Sequence, residues 1–378
     1  MEDFVEWGRE FGVDFTKFSI QKIENQGFGV VAKKSISYGE PLIEIPEEII
    51  ITLDKVLKDR RIQDVLRYGK QFEKVDSMDM FLLFLTIYRF EEDSFFWKKY
   101  FRILPEEYGL PIFWEEKYKS CLPKSFQKML SKERAIYEKR LSFAKEMCPE
   151  IKDDDFKWAW SAFLTRNVKV SHAEYLKRAD DSAWKRPSWL QEGDYDDSAL
   201  VPFFDLINHT ESASVQYIYQ RRDEKFKLTV KQEICEGDQI FINYGTYGSF
   251  DKLMDYGYVE GGMPNFNESF FVEKEEILEV SKKLKISLPN ASEIEDIKEN
   301  SFEIFRASVS PQMEEFLEIL TNENEEAAAQ IKIELFSDII QNIRKNLLNL
   351  GTDFGDEIVF CRRLYKKVYT MISDILYD

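Results

Sequence analysis

Two segments of the chain carry side chains that could bind and act on a small polar ligand. The first reads Asp205-Leu-Ile-Asn-His-Thr210 and the second Ile240-Phe-Ile-Asn-Tyr-Gly245. Asn208 and His209 supply an amide and an imidazole, and Tyr244 supplies a phenol 35 residues after His209. Consecutive hydrogen-bonding side chains at the end of an apolar run need partners if they are buried. Alone, Asn208-His209 fits a structural corner as well as a binding corner. Tyr244-Gly245 closes a second apolar run, and Asp255-Tyr-Gly-Tyr258 follows. Together these allow an amide, an imidazole and a phenol to share one pocket.

Other chemistries fit less well. Asp205 and His209 lie four apart, but no G-x-S-x-G nucleophile turn accompanies them. The only histidines are His172 and His209, and neither has a ligand-spaced Cys or His, so no metal is expected. Gln26-Gly-Phe-Gly29 is a glycine turn. It reads first as an ordinary hairpin turn, and second as a place where backbone groups can approach a ligand closely.

The elements that must position these residues can be read from the pattern. Phe4 to Gly12 reads as a short helix with Trp7 and Phe11 on one face. Phe18 to Ile23 alternates like a strand, and the glycine turn feeds a second one through Ala32. Pro41–Pro46 and Ile49–Thr52 read as further short strands. Helical patterns then cover Asp54–Tyr68, Met78–Arg89, Phe126–Met147 and Asp155–Val168, with an aromatic-rich stretch from Phe95 to Tyr108. Ala173 to Asp197 reads as a loop. A second β segment runs from Ser198 to Asn243 and includes Val215–Tyr219 and Phe226–Val230. An apolar strand-like run delivers Asn208 and His209. A helix is expected at Phe250–Tyr256. Beyond Glu260 strands are scarce, and Asn324–Leu350 and Glu357–Leu376 show helical periodicity, with Gly351 as a stop.

Composition bounds the partners. A net charge of −18 disfavours direct binding to phosphate backbones and suits a basic protein partner, though acidity of this kind also serves solubility. The 31 phenylalanines predict an aromatic core. Cys121, Cys148, Cys235 and Cys361 form no C-x-x-C pair and read as reduced core residues. The acidic start lacks a secretory or transit pattern, and no apolar run is long enough for a membrane span. The expectation is a cytosolic or nuclear protein without membrane contact.

Taken in order, Gly27-Phe-Gly29, Asp205-Leu-Ile-Asn-His-Thr210, Tyr244-Gly245 and Tyr256-Gly-Tyr258 resemble the motifs of the SET-domain protein methyltransferases. The likeness is to the Rubisco large-subunit methyltransferase branch, which includes the actin-histidine methyltransferase. Trp97-Lys-Lys-Tyr100 with Leu104-Pro105 resembles that branch's W-K-P-Y…L-P segment, and Thr165-Arg166 its S/T-R step. Departures are Tyr258 for Phe, Ser249 for Asn and Lys99 for Pro. None removes a polar group assigned to catalysis.

The resemblance implies an α+β fold. SET-domain β-sheets with a pseudoknot-like crossing would fill residues 1–260, interrupted by a helical insert at about 54–197. An all-helical substrate-binding domain would follow at 261–378. It implies S-adenosylmethionine as cofactor, with Gln26, Gly27, Phe28, Gly29, Arg166, Asp205, Asn208, His209, Tyr244 and Tyr258 at its site. Tyr258 would stack on adenine and Tyr244 would be catalytic. Arg166, Val168, Phe204, Asp205 and Tyr256 would face the substrate.

A lysine acceptor with a pKa of ~10.4 is neutral about once in 2,500 at pH 7, which costs roughly 4.6 kcal/mol. A dry aromatic channel lowers that cost, and positioning can supply roughly 7–11 kcal/mol. In the histidine-modifying relative, Asn and Trp stand where this chain has Val168 and Phe204. An apolar lining suits an aliphatic lysine stem. The expected reaction is lysine N-methylation of a basic protein such as a histone, a ribosomal protein or another Lys-rich chain, by a monomer. Histidine methylation and a catalytically silent protein-binding module are the alternatives.

Overall fold

The structure is a computed structural model. It describes residues 1–24, 26–68, 75–90, 95–170, 195–213, 215–220, 225–351 and 355–377. Most of the loop expected at Ala173–Asp197, from 173 to 194, lies outside the described residues.

The chain opens with α1 (Glu2–Glu10), then β1 (Phe18–Ile23), β2 (Gly27–Ala32), β3 (Pro41–Pro46) and β4 (Ile51–Thr52). Helices follow: α2 (Leu53–Lys58), α3 (Arg60–Tyr68), α4 (Ser77–Tyr88), α5 (Lys98–Phe101), α6 (Glu116–Lys119), α7 (Lys124–Met147) and α8 (Asp153–Arg166). Next come β5 (Asn167–Lys169), β6 (Ser198–Leu200), β7 (Asn208–His209), β8 (Val215–Gln220), β9 (Lys225–Val230), β10 (Gln239–Ile242) and α9 (Ser249–Tyr256). The remainder holds β11 (Ser269–Glu273), α10 (Lys274–Lys283), α11 (Ala291–Glu295), β12 (Ser301–Phe305), α12 (Pro311–Thr321), α13 (Glu325–Asn349) and α14 (Asp356–Tyr377).

Two compact units result. The first comprises Met1–Tyr108 with Tyr137–Gly245, and the second Gly109–Ile136 with Thr246–Asp378.

Among the described residues, three sheets belong to the first unit. One has the order β1-β2-β10-β7, the second β3-β9-β8, the third β4-β6-β5. β1 and β2 form an antiparallel hairpin, and β10 pairs antiparallel with β2 through Ile240 and Val30. β10 runs parallel to β7, with Phe241 opposite Asn208 and Ile242 opposite His209. Parallel neighbours need a crossover. Here the chain leaves β7, forms the β8–β9 hairpin in another sheet, and returns as β10. The helices of this unit bury an aromatic core, with Phe81 of α4 stacked on Phe163 of α8 at 4.8 Å.

In the second unit α13 packs on α14, α10 and α12. This region is helical in the main but not all-helical. β11 and β12 pair antiparallel, and Phe270, Val272, Phe302 and Ile304 alternate inward as a half-buried pair of strands requires.

Other expectations are corrected by local physics. The helix read over Asp54–Tyr68 breaks at Asp59, whose backbone is extended and whose carboxylate accepts from the N–H groups of Arg61 and Ile62, at 3.0 and 3.2 Å. It is a new N-cap, so two helices replace one. Val168 lies on a strand, because α8 ends at Arg166 and Asn167 turns into pairing with Leu200. The run up to Asn208 is not one strand. β6 stops at Leu200, Phe203 takes φ 73°, and Phe204–Leu206 form a 3-10 turn before β7. Of the four free cysteines, Cys121 and Cys361 are buried, whereas Cys148 is half-buried and Cys235 exposed.

Candidate active site

The glycine turn supplies one wall. Gly27 sits at φ +75°, a conformation that costs a residue with a Cβ, and nothing crowds it. Gly29 has the opposite need. A Cβ there would lie 2.7 Å from Ile23 Cγ1, 2.9 Å from Gln239 Nε2 and 3.0 Å from Asn208 Nδ2. One glycine is required for backbone angle and the other for space. The space is filled by Asn208, whose Nδ2 donates to Gln26 Oε1 at 3.2 Å and to Phe28 O at 3.4 Å. Gln239 Nε2 also donates to Gln26 Oε1, at 3.1 Å. The amide NH2 of Asn208 thus ties β7 to Gln26 in the turn and to Phe28 at the start of β2.

His209 and Tyr244 lock the ends of the two parallel strands. His209 Nδ1 accepts from the Tyr244 backbone N–H at 3.0 Å, which places the ring proton on Nε2. The Tyr244 hydroxyl donates to the Ile207 carbonyl at 2.8 Å, and the two rings lie 5.1 Å apart. Burial pushes the Tyr244 phenol up to about 12. It is a neutral hydrogen-bond donor at physiological pH, not a base. His209 therefore holds Tyr244 in place through the backbone, a role the sequence alone does not reveal.

Behind this ring lies a buried ionic knot. Arg166 Nη1 donates to Asp205 O at 2.9 Å and to Asp205 Oδ2 at 3.1 Å, and the Tyr100 hydroxyl donates to Oδ2 at 2.7 Å. The Asp205 side chain is 1% exposed. Burial pushes its carboxyl up, against the pull of Arg166 and Tyr100. A buried knot of this kind fixes geometry, and desolvation offsets much of what the ion pair contributes to stability. Asp205 Oδ1 and Arg166 Nε are buried and have no hydrogen-bond partner among the described residues.

The structure thus brings together Gln26, Gly27, Phe28, Gly29, Asn208, His209 and Tyr244, with Arg166 and Asp205 behind them. Val168 is buried in β5, opposite Ala199. Phe204 is 4% exposed, and its ring packs on Tyr217 and Phe226 at 4.9 and 4.8 Å in the core. Tyr256 and Tyr258 belong to the second unit. Their rings lie 6.4 Å apart around Gly257. Gly257 has φ +73°, and a Cβ on it would come within 2.9 Å of Gly109 C. Ser249, the departure from Asn, is buried and gives its N–H and hydroxyl to Glu268, at 2.8 and 2.6 Å. The sequence reading missed two contributors, Tyr100 and Gln239. The available signal for Tyr100 was that a tyrosine buried in a helical insert needs a partner for its hydroxyl.

Comparison with known proteins agrees with this geometry. The SET domain family model matches residues 27–245. SET domain-containing protein 4 of Artemia parthenogenetica is 23% identical over 249 residues, which is 65% of this chain and 58% of that protein. The actin-histidine N-methyltransferase of Rattus norvegicus is 22% identical over 271 residues, 68% of this chain and 41% of that protein. The matched part is thus about two fifths to three fifths of these relatives' length. The crystal structure of the SET domain of LSMT bound to lysine and AdoHcy superposes with a TM-score of 0.64 at 17% identity, covering 99% of this chain and 89% of that one. Rubisco LSMT bound to AdoMet gives 0.61 at 19%, covering 98% and 89%. At these identities the structures speak to fold alone. A glycine turn, an Asn-His strand end and a Tyr-Gly strand end meet within the matched stretch, and the chain belongs to the SET-domain family.

Proposed function

We propose that the chain is an S-adenosylmethionine-dependent protein methyltransferase whose acceptor is a lysine on a basic protein. The observation that carries this is the convergence of three separate segments: Asn208 on Phe28 and Gln26, His209 on the Tyr244 N–H, and the Tyr244 hydroxyl on Ile207. The reaction class is supported by the relatives' activity, and the cofactor by the AdoMet and AdoHcy held in LSMT.

The residues present fit that cofactor. Gly27 and Gly29 leave backbone accessible where a Cβ would strain the turn or strike Asn208. Two buried polar atoms, Asp205 Oδ1 and Arg166 Nε, have no partner among the described residues, as a pocket that takes a polar ligand leaves them. Backbone groups of Gln26 and Phe28, with the Asn208 side chain, would hold its amino-acid end. When bound, S-adenosylmethionine supplies an electrophilic methyl group on a sulfonium.

The protein's own contribution is orientation. Tyr244 stays protonated at neutral pH, so the acceptor nitrogen must reach the site already neutral or lose its proton to water. Because the Tyr244 proton is committed to the Ile207 carbonyl, the phenol can offer only oxygen lone pairs to the reacting region. Lysine is favoured by residue type alone: Val168 and Phe204, both buried, carry no polar group that could orient an imidazole. Histidine is the second reading, favoured by the match to actin-histidine N-methyltransferase. The net charge of −18 supports a basic partner.

The test is direct. Calorimetry should detect S-adenosylhomocysteine binding, and tritiated S-adenosylmethionine should label protein in a lysate. Mass spectrometry of the labelled residue then reads lysine or histidine. Binding without transfer would favour a silent module, and absence of both would end the proposal.

A further inference from the structure

We infer that Tyr100 is a positioning residue for Tyr244, acting through Asp205 and the 3-10 turn that carries Ile207. This rests on the methyltransferase reading above. The chain of contacts is continuous. Tyr100 is fully buried, and its hydroxyl donates to Asp205 Oδ2 at 2.7 Å. Arg166 holds the same oxygen and the Asp205 carbonyl. Asp205 is the middle residue of the turn Phe204–Leu206, and its N–H donates to Val201 O at 3.2 Å. The turn closes with Ile207 N–H on Phe204 O at 3.0 Å, and the Ile207 carbonyl accepts the Tyr244 hydroxyl at 2.8 Å.

The turn needs such a clamp. It is entered through Phe203 at φ 73°, an uncommon conformation for a residue with a Cβ. Phe203 is held on one side by packing, its ring stacked on Phe4 at 4.1 Å. Asp205 is the polar anchor on the other side. Buried groups with a single low-energy arrangement transmit position, and a hydroxyl removed at one end lets the carbonyl at the other end drift. A drift of this carbonyl moves the phenol that it orients, and small misplacements cost rate rather than binding. Among the described residues Tyr100 makes no hydrogen bond to Asn208 or the glycine turn, so cofactor affinity should be spared.

The experiment is Tyr100→Phe, alone and combined with Tyr244→Phe. In Tyr100→Phe, methyl transfer from tritiated S-adenosylmethionine to a common lysate should fall about tenfold or more, while S-adenosylhomocysteine affinity stays within about threefold. In the double variant, transfer should equal that of Tyr244→Phe alone, because a residue that acts through another adds nothing once that other is gone. Hydrogen exchange should quicken in the peptide covering residues 203–210 of Tyr100→Phe. Additive losses, unchanged transfer, or a parallel loss of S-adenosylhomocysteine affinity would overturn the inference. Should Tyr100→Phe fold poorly, Asp205→Asn reads the same linkage by exchange at 203–210 and by the double variant with Tyr244→Phe, with its S-adenosylhomocysteine affinity left out of the comparison because Asp205 lies at the cofactor site. If the wild-type protein neither binds S-adenosylhomocysteine nor transfers methyl, the function reading has failed. Exchange at 203–210 then decides the clamp alone, unchanged exchange ending it.

Discussion

Gly27 and Gly29 look alike in sequence and should behave differently when changed. Gly27→Ala meets open space but must hold φ +75°, so it should cost about 1 kcal/mol of stability with little change in S-adenosylhomocysteine affinity. Gly29→Ala drives a methyl into Asn208 Nδ2 and Gln239 Nε2, so affinity should fall about tenfold or more, a loss of roughly 1.4 kcal/mol. Calorimetry and urea unfolding on both variants check this, and equal effects would refute the division of labour. Tyr244→Phe removes the hydroxyl's hydrogen bond to Ile207 and leaves the backbone bond to His209 intact. It should bind cofactor nearly normally and lose most turnover, by about 100-fold or more if the oxygen is needed only in the transition state. Unchanged turnover would remove Tyr244 from the mechanism.

At the scale of elements, the site is backed by two helices that meet it through Asp205. α5 contributes Tyr100 and α8 contributes Arg166, and both helices are set by aromatic packing. Arg140 joins the later part of α7 to the start of α4, with bonds of 2.8 Å to Asp76 and 2.6 Å to Asp79. Burial pushes the Asp79 carboxyl up even beside this cation. Arg140→Ala would leave two carboxylates, one of them deeply buried, without their partner. It should destabilise the protein by about 3–5 kcal/mol in urea unfolding, because an uncompensated buried charge is costly. A loss below about 1 kcal/mol would mean that water reaches these groups freely.

At the scale of the whole molecule, charge sets the response to pH and salt. Burial, with Asp251 and Glu133 nearby, pushes the Asp255 carboxyl up to about 6 from its usual 3.8. The folded state therefore binds this proton more tightly than the unfolded state. Stability at this group is fully present at low pH and is lost as pH rises from about 4 through about 6, by up to roughly 3 kcal/mol. Asp255→Asn should be more stable than wild type at pH 7.5, with the gain vanishing below pH 4, and thermal unfolding across that range checks both ends. A net charge of −18 predicts that methylation of a basic partner weakens with salt. Raising ionic strength from ~0.01 to ~0.1 M shortens the screening length from about 30 to about 10 Å, and KM should rise with kcat little changed. A salt-independent KM would place substrate recognition on apolar contacts instead.

Much was legible in the chain because its signals are local. The Gly-x-Gly turn, the Asn-His and Tyr-Gly strand ends and the long amphipathic helices each depend on neighbours in sequence, and the family followed from their order. The break at Asp59, the strand at Val168 and the β11–β12 pair were not legible. A capping carboxylate and a strand partner far along the chain decided them. The site divides the same way. Sequence alone named Asn208, His209 and Tyr244, whereas only the tertiary structure decided that His209 serves the Tyr244 backbone. It also decided that Phe204 packs in the core and that Tyr100 reaches Asp205. Residue type is a property of the sequence, but the partner of a buried polar group is chosen by whatever distant segment the fold packs beside it.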